Sequence, residues 1–284
     1  MPPDNAATKT TPRLVLQGGD MKNKIILATG LLLSLSAQAA VIDGDWRDWI
    51  APSGSGSADD WQPVVAGTKY AVEDQAGGLA TYLDPGYGGQ AYDAEAIYVA
   101  TTGTAIQVAV ITGKAPDNTY PWGDIAIDFG NDGVFEYALV TRGDAWGIGN
   151  AGEVYAASDW NLGLWSAPGV YDPSPDSDYA RRHPTSVADG ELLGDGAFAW
   201  SKMDVPVGTL GGDHWFMEAS IPLNLLDASL FSQPFTAHWT MGCANDWIEV
   251  DPQLVPEPLT GGLLGLGLLG LMGLRRRARA GSRG

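Results

Sequence analysis

The chain has 284 residues, 34 of them acidic and 16 basic, for a net charge of −18 at neutral pH. A surface that negative repels nucleic acid and anionic membranes, which excludes phosphate-backbone binding as the basis of function. Its one cysteine, Cys243, excludes an intramolecular disulfide, so stability must come from a core and from any bound ion.

Residues 1–20 carry no apolar pattern and read as an upstream extension that is not native to the mature protein. From Met21 the character changes. Lys22 and Lys24 make a positive start, residues 25–35 an apolar stretch, and Ala37-Gln38-Ala39 a small-x-small cleavage site. Those three parts in that order are a secretory signal peptide over 21–39, with signal peptidase as its partner and cleavage read at Ala37 and Ala39. The body that remains, 40–254, has the size of one β-domain and contains 31 acidic and seven basic residues, a net charge of about −24.

Alternating apolar segments predict strands over 95–101, 105–111, 124–129, 134–140, 214–221 and 235–241. Trp215, Met217, Ala219 and Ile221 share one face of their segment, with His214, Glu218 and Ser220 opposite. Gly103-Thr104 and Asn131-Asp132-Gly133 suit tight turns between successive strands. The one helix expected begins at Pro222 and runs through Leu223, Leu225, Leu226 and Leu230. Between 144 and 213 strand signals are weak (153–157, 198–203), which predicts long loops over a β scaffold. The fold class is all-β: a single antiparallel β-sandwich, jelly-roll-like, with long loops.

Two acidic groups are candidate metal ligands. Asp128 and Asp132, on a turn closed by Gly133, with Glu136 beyond, offer the oxygens that calcium prefers, although the spacing is not that of an EF-hand. The alternative is a hairpin turn with solvated acids. Asp43 and Asp45, with Asp48, form a second group near the start of the body, for which turn and cap chemistry is the alternative. All eleven tryptophans lie in the body. Trp122, Trp146, Trp160 and Trp165 sit in glycine-rich settings near polar residues, as a sugar-binding platform requires, and core packing is the alternative for each. Catalysis has little support: His183, His214 and His238 lack zinc spacing, and no Gly-x-Ser-x-Gly elbow is present.

The C-terminal stretch has three parts: the Pro256-Glu257-Pro258 motif, an uncharged apolar run over 259–274, and the Arg275-Arg276-Arg277 cluster. At about 1.5 Å per residue the run spans roughly 24 Å, short of a ~30 Å hydrocarbon core, so it makes a marginal membrane helix. The arginines favour the cytoplasmic side, which puts the body outside. This order resembles the PEP-CTERM sorting signal, here 255–279 followed by a tail at 280–284. The resemblance implies exosortase as a partner, a transient inner-membrane anchor, and a destination at the surface or in the extracellular matrix of a Gram-negative bacterium.

Within the body, the opening Val41-Ile42-Asp43-Gly44-Asp45-Trp46, the phrase Gly123-Asp124-Ile125-Ala126-Ile127-Asp128 and the phrase Glu218-Ala219-Ser220-Ile221-Pro222-Leu223 resemble family 9 carbohydrate-binding modules and their DOMON-like relatives. That resemblance implies a jelly-roll sandwich that binds, often sugar, without catalysis. The expected function is binding of carbohydrate or exopolysaccharide. The alternatives are a structural biofilm-matrix protein that makes protein contacts only, and a glycoside hydrolase.

Overall fold

The computed structural model describes residues 40–74, 88–117, 119–142, 146–166 and 183–252. Eleven strands follow in chain order among them: β1 (Lys69–Val72), β2 (Ala94–Thr101), β3 (Ala105–Thr112), β4 (Ile125–Phe129), β5 (Tyr137–Leu139), β6 (Glu153–Asn161), β7 (Ser186–Asp195), β8 (Ala197–Lys202), β9 (Trp215–Pro222), β10 (Phe235–Thr240) and β11 (Trp247–Val250). They form two sheets, of order β1-β2-β3-β9-β8 and β11-β10-β4-β5-β6-β7. Every pairing between these strands is antiparallel.

The centre of the first sheet is the β3–β9 pair, which runs without a slip from Ala105 opposite Pro222 to Thr112 opposite Trp215. Its register follows from period-two burial, because a one-residue shift would turn every apolar side chain to the wrong face. Val108, Val110, Met217 and Ala219 of that pair share one core with Ile125, Ile127, Ala237 and Trp239 of the second sheet. Burying each large side chain of this set is worth about 1.5–3 kcal/mol.

The opposite face of the first sheet is covered too. Tyr98, Ala109, Ile111 and Phe216 pack beneath Trp46, Trp49, Ile50 and Trp61 from the segment that precedes β1. Period-two alternation on β9 suggests one buried and one wet face, but His214 and Glu218 are 2% and 0% exposed. Glu218 Oε1 accepts the backbone N–H of Asp43 at 2.8 Å and of Gly44, and its Oε2 accepts Trp49 Nε1–H at 2.8 Å. Burial pushes the Glu218 carboxyl up, and these three donors oppose that shift.

Three strands, β1, β7 and β11, arise where the sequence predicts none. In place of long loops, β6 and β7 form an extended pair whose register slips at three points. Those bulges break the alternation that would reveal a strand. The helix expected from Pro222 is two 3-10 turns, Leu223–Leu225 and Ala228–Leu230. Leu226 is extended between them, and the Asp227 side chain accepts Ser229 N–H to start the second turn, so no continuous helix can form. Among the described residues no helix is long and apolar enough to cross a membrane. The signal peptide at 21–39 with Ala37 and Ala39, and the sorting segment at 255–279 with Pro256, Glu257, Pro258, Arg275, Arg276 and Arg277, lie outside the described residues.

Removing the Glu218 carboxylate leaves three buried donors unmet. Glu218→Ala is expected to lower unfolding free energy by about 3–5 kcal/mol in urea titration, and a loss under ~1 kcal/mol would mean that the N-terminal segment is held by packing alone.

Candidate functional site

A cleft of about 380 Å³ opens where the 3-10 turn Gln90–Tyr92 meets the loop after β3 and the start of β9. Two aromatic rings, Tyr92 and Trp215, line it together with Gln90, Lys114, Asp117 and Asp213. Gly113 makes the approach possible, since a side-chain carbon there would overlap the Gln90 carbonyl. Lys114 is buried, and its Nζ donates to Asp117 Oδ1 at 2.7 Å and to the Ala115 carbonyl at 2.9 Å, 5.6 Å from the centre of the Tyr92 ring. On the other side Lys202 Nζ donates to Asp213 Oδ2 at 2.6 Å and sits 5.5 Å from the Trp215 ring centre.

Two lines of aromatic rings continue from the cleft. Trp215 lies 5.9 Å from Trp200, and Trp200 meets Trp122 edge-on at 5.6 Å. Tyr92 lies 6.4 Å from Tyr120, which tilts against Trp146 at 6.0 Å. Trp200 is 48% and Trp146 40% exposed. Trp200 pairs with Met217 across β8 and β9, so its side chain shares the core-facing side. Because β8 is an edge strand, the indole is left only partly covered. Tyr120 adopts φ +51°, a left-handed conformation costly for a bulky residue and most often held where geometry serves a site.

Burial works against ionisation of Asp117, yet the Lys114 ammonium and the Thr119 N–H outweigh it and hold the carboxyl below its usual range. Burial pushes the Tyr92 phenol up, so the ring stays neutral at physiological pH. The cleft therefore offers two aromatic faces, an amide, and two carboxylates neutralised by lysines.

The four tryptophans singled out from sequence divide. Trp122 is 3% exposed and donates Nε1–H to the Lys114 carbonyl at 2.8 Å, so it anchors the cleft loop from beneath and is not itself a platform. Trp160 packs on Phe135 and donates to its carbonyl at 3.0 Å. Trp146 ends one of the aromatic lines, and the side chain of Trp165 lies outside the described residues. Tyr92, Trp200 and Trp215 were missed. The signal for Trp215 was present in its parity with Met217, but nothing local brings Tyr92 to it.

Asp128, Asp132 and Glu136 each bring one carboxylate oxygen within 4.8 Å of the others, Asp128 from the end of β4 and the other two from the loop that leads to β5. Asp128 accepts Gly133 N–H at 2.8 Å, Asp132 accepts Val134 N–H at 3.0 Å, and Glu136 accepts Phe129 N–H at 2.8 Å. Asn131 and Gly133 at φ +55° and +84° close the turn. Burial raises the carboxyls of Asp128 and Glu136, with backbone donors opposing. This all-oxygen donor set fits a hard divalent cation. Asp43, Asp45 and Asp48 do not form such a group among the described residues. Asp43 accepts Asp45 N–H at 2.9 Å, and Asp45 caps the Trp46–Asp48 turn while pairing with Arg47 at 3.2 Å.

A larger groove of about 480 Å³ borders β1 and β11, but Glu73, Glu249 and Asp251 dominate it with one indole, Trp247. It lacks the second ring of the first cleft. No family model, curated protein or solved structure matches this chain.

Proposed function

We propose that the two sheets form a jelly-roll-like β-sandwich, and that this sandwich is a non-catalytic binder of polysaccharide at the cell surface or in the extracellular matrix. The observation that carries this reading is the convergence of Tyr92 and Trp215 in one cleft with Gln90, Asp117 and Asp213. Aromatic faces take the apolar faces of sugar rings, while amide and carboxylate groups receive hydroxyls. The two exposed indoles of the aromatic lines, Trp146 and Trp200, extend the surface beyond one sugar unit. A body charge near −24 repels acidic chains, so the ligand is a neutral glycan.

Hydrolysis fits poorly. A glycosidase acid must hold its proton near neutrality, whereas Asp117 is held low and Asp213 is paired with Lys202. Binding to a panel of insoluble and soluble neutral polysaccharides is the test. Trp215→Ala and Tyr92→Ala should each weaken binding by about tenfold or more, with no sugar released. Binding that survives both substitutions would leave the matrix-protein reading in its place.

The same reading includes calcium at Asp128, Asp132 and Glu136, where it would fix the β4–β5 loop. Asp132→Asn should remove one calcium equivalent from a calorimetric titration; an unchanged stoichiometry would remove the site.

Destination rests on the two ends of the chain. Signal peptidase acting after Ala39 and exosortase acting near Pro256-Glu257-Pro258 would release the body from a temporary inner-membrane hold. Intact-mass analysis of the surface form in an exosortase-bearing host should lack Arg275, Arg276 and Arg277. Their retention would mean a permanent anchor.

A further inference from the structure

At the start of β2, just past the cleft turn, Asp93 and Glu95 are fully buried, as is Asp246 before β11, and Asn245 is 5% exposed. Glu95 is the extra residue of a bulge, because Ala94 pairs with Thr112 while Ala96 pairs with Ile111. Bulges re-aim side chains and recur beside functional sites. Asp246 accepts Ala94 N–H at 2.6 Å and Trp247 N–H at 2.9 Å, which ties the first sheet to the second. Its carboxylate lies within hydrogen-bonding reach of the Asp93 carboxylate. Glu95 Oε1 meets Gln90 Nε2, and His214 Nε2 at 3.2 Å.

What remains is a set of buried acceptors. Both oxygens of Asp93, Oε2 of Glu95, Oε1 of Gln90 and Oδ1 of Asn245 are buried without a donor. They account for most of the unmatched buried side-chain atoms among the described residues, and every one is an oxygen. Lys114, on the adjoining loop, commits its ammonium to Asp117 and the Ala115 carbonyl. Cys243 is a neutral thiol here, since burial pushes it up to about 11. A bridging water brings two protons and no charge, whereas a hard divalent cation held by Asp93, Asp246 and Asn245 brings positive charge to buried acceptors.

We propose that Asp93, Asp246 and Asn245, supported by Glu95 and Gln90, form a buried calcium site that pins the two sheets together behind the aromatic cleft. It is separate from the β4–β5 loop and does not depend on what the cleft binds. The unmatched acceptors of Asp93, Asn245, Glu95 and Gln90 are all oxygens, which favours calcium over zinc.

The test uses the full-length chain carrying Asp132→Asn, so that the exposed loop contributes nothing. Thermal melting is followed with calcium or with EDTA, and terbium luminescence excited through tryptophan reports occupancy. The expected result is one terbium equivalent displaced by calcium, together with a calcium-dependent rise in melting temperature. Asp93→Asn in the same background should abolish both responses, yet melt no lower than its parent in EDTA, because an amide beside Asp246 ends the carboxylate contact. Should that variant fail to fold, Asn245→Ala must weaken terbium binding at least tenfold. No terbium signal and no calcium effect at millimolar concentration would overturn the proposal.

Discussion

A carboxylate shut away from water organises this molecule. Glu218 sits at the middle of β9, on the face turned away from the main core, and receives Asp43, Gly44 and Trp49. On the neighbouring strand, Gln107 of β3 exchanges both of its side-chain hydrogen bonds with the backbone of Ala40. These contacts lay the N-terminal segment across the first sheet, and Trp46, Trp49 and Trp61 then bury that face. The consequences reach β8. Ser201 donates to the Gly44 carbonyl at 2.7 Å, and Arg47 pairs with Asp204 at 3.1 Å. Gly44, at φ +89°, lies so close beneath the Trp200 backbone that a side-chain carbon would sit 3.1 Å from its carbonyl oxygen. The strand that carries the exposed indole is thus fixed through the segment that Glu218 holds.

The buried acids fall into two kinds, and the difference has a physical meaning. Asp124 accepts Thr141 N–H and Val187 N–H, both at 3.0 Å, and Asp60 accepts Ser53 N–H and Ser57 N–H. Such carboxylates replace water with backbone donors and act as staples between loops and strands. Asp93 and Glu95 keep oxygens that nothing satisfies. Folding does not leave that cost in place without a compensating ion or proton, and a body with seven basic residues supplies few side-chain cations.

The indoles divide along the same line. Trp49, Trp61, Trp122 and Trp239 are buried and donate their N–H to Glu218, Asp74, the Lys114 carbonyl and the Gly123 carbonyl. Those rings are core with a polar tether. Trp200 and Trp146 are the ones left substantially open, and both belong to aromatic lines that meet in the cleft between Tyr92 and Trp215.

The sequence by itself carried the strands at the centre of both sheets, because uninterrupted alternation such as Ile106 to Val110 is a local signal. It also brought Asp128, Asp132 and Glu136 together, since they lie within nine residues of one another. Bulges hid β7, and the Asp227 cap divided the expected helix. Only the tertiary structure decided which faces are dry, since the cover over Glu218 comes from residues more than 150 positions earlier. It also decided which aromatics meet. Tyr92 and Trp215 meet in one cleft across more than a hundred residues, and Asp246 reaches the start of β2 from the other sheet, separations over which no pattern in the chain can report.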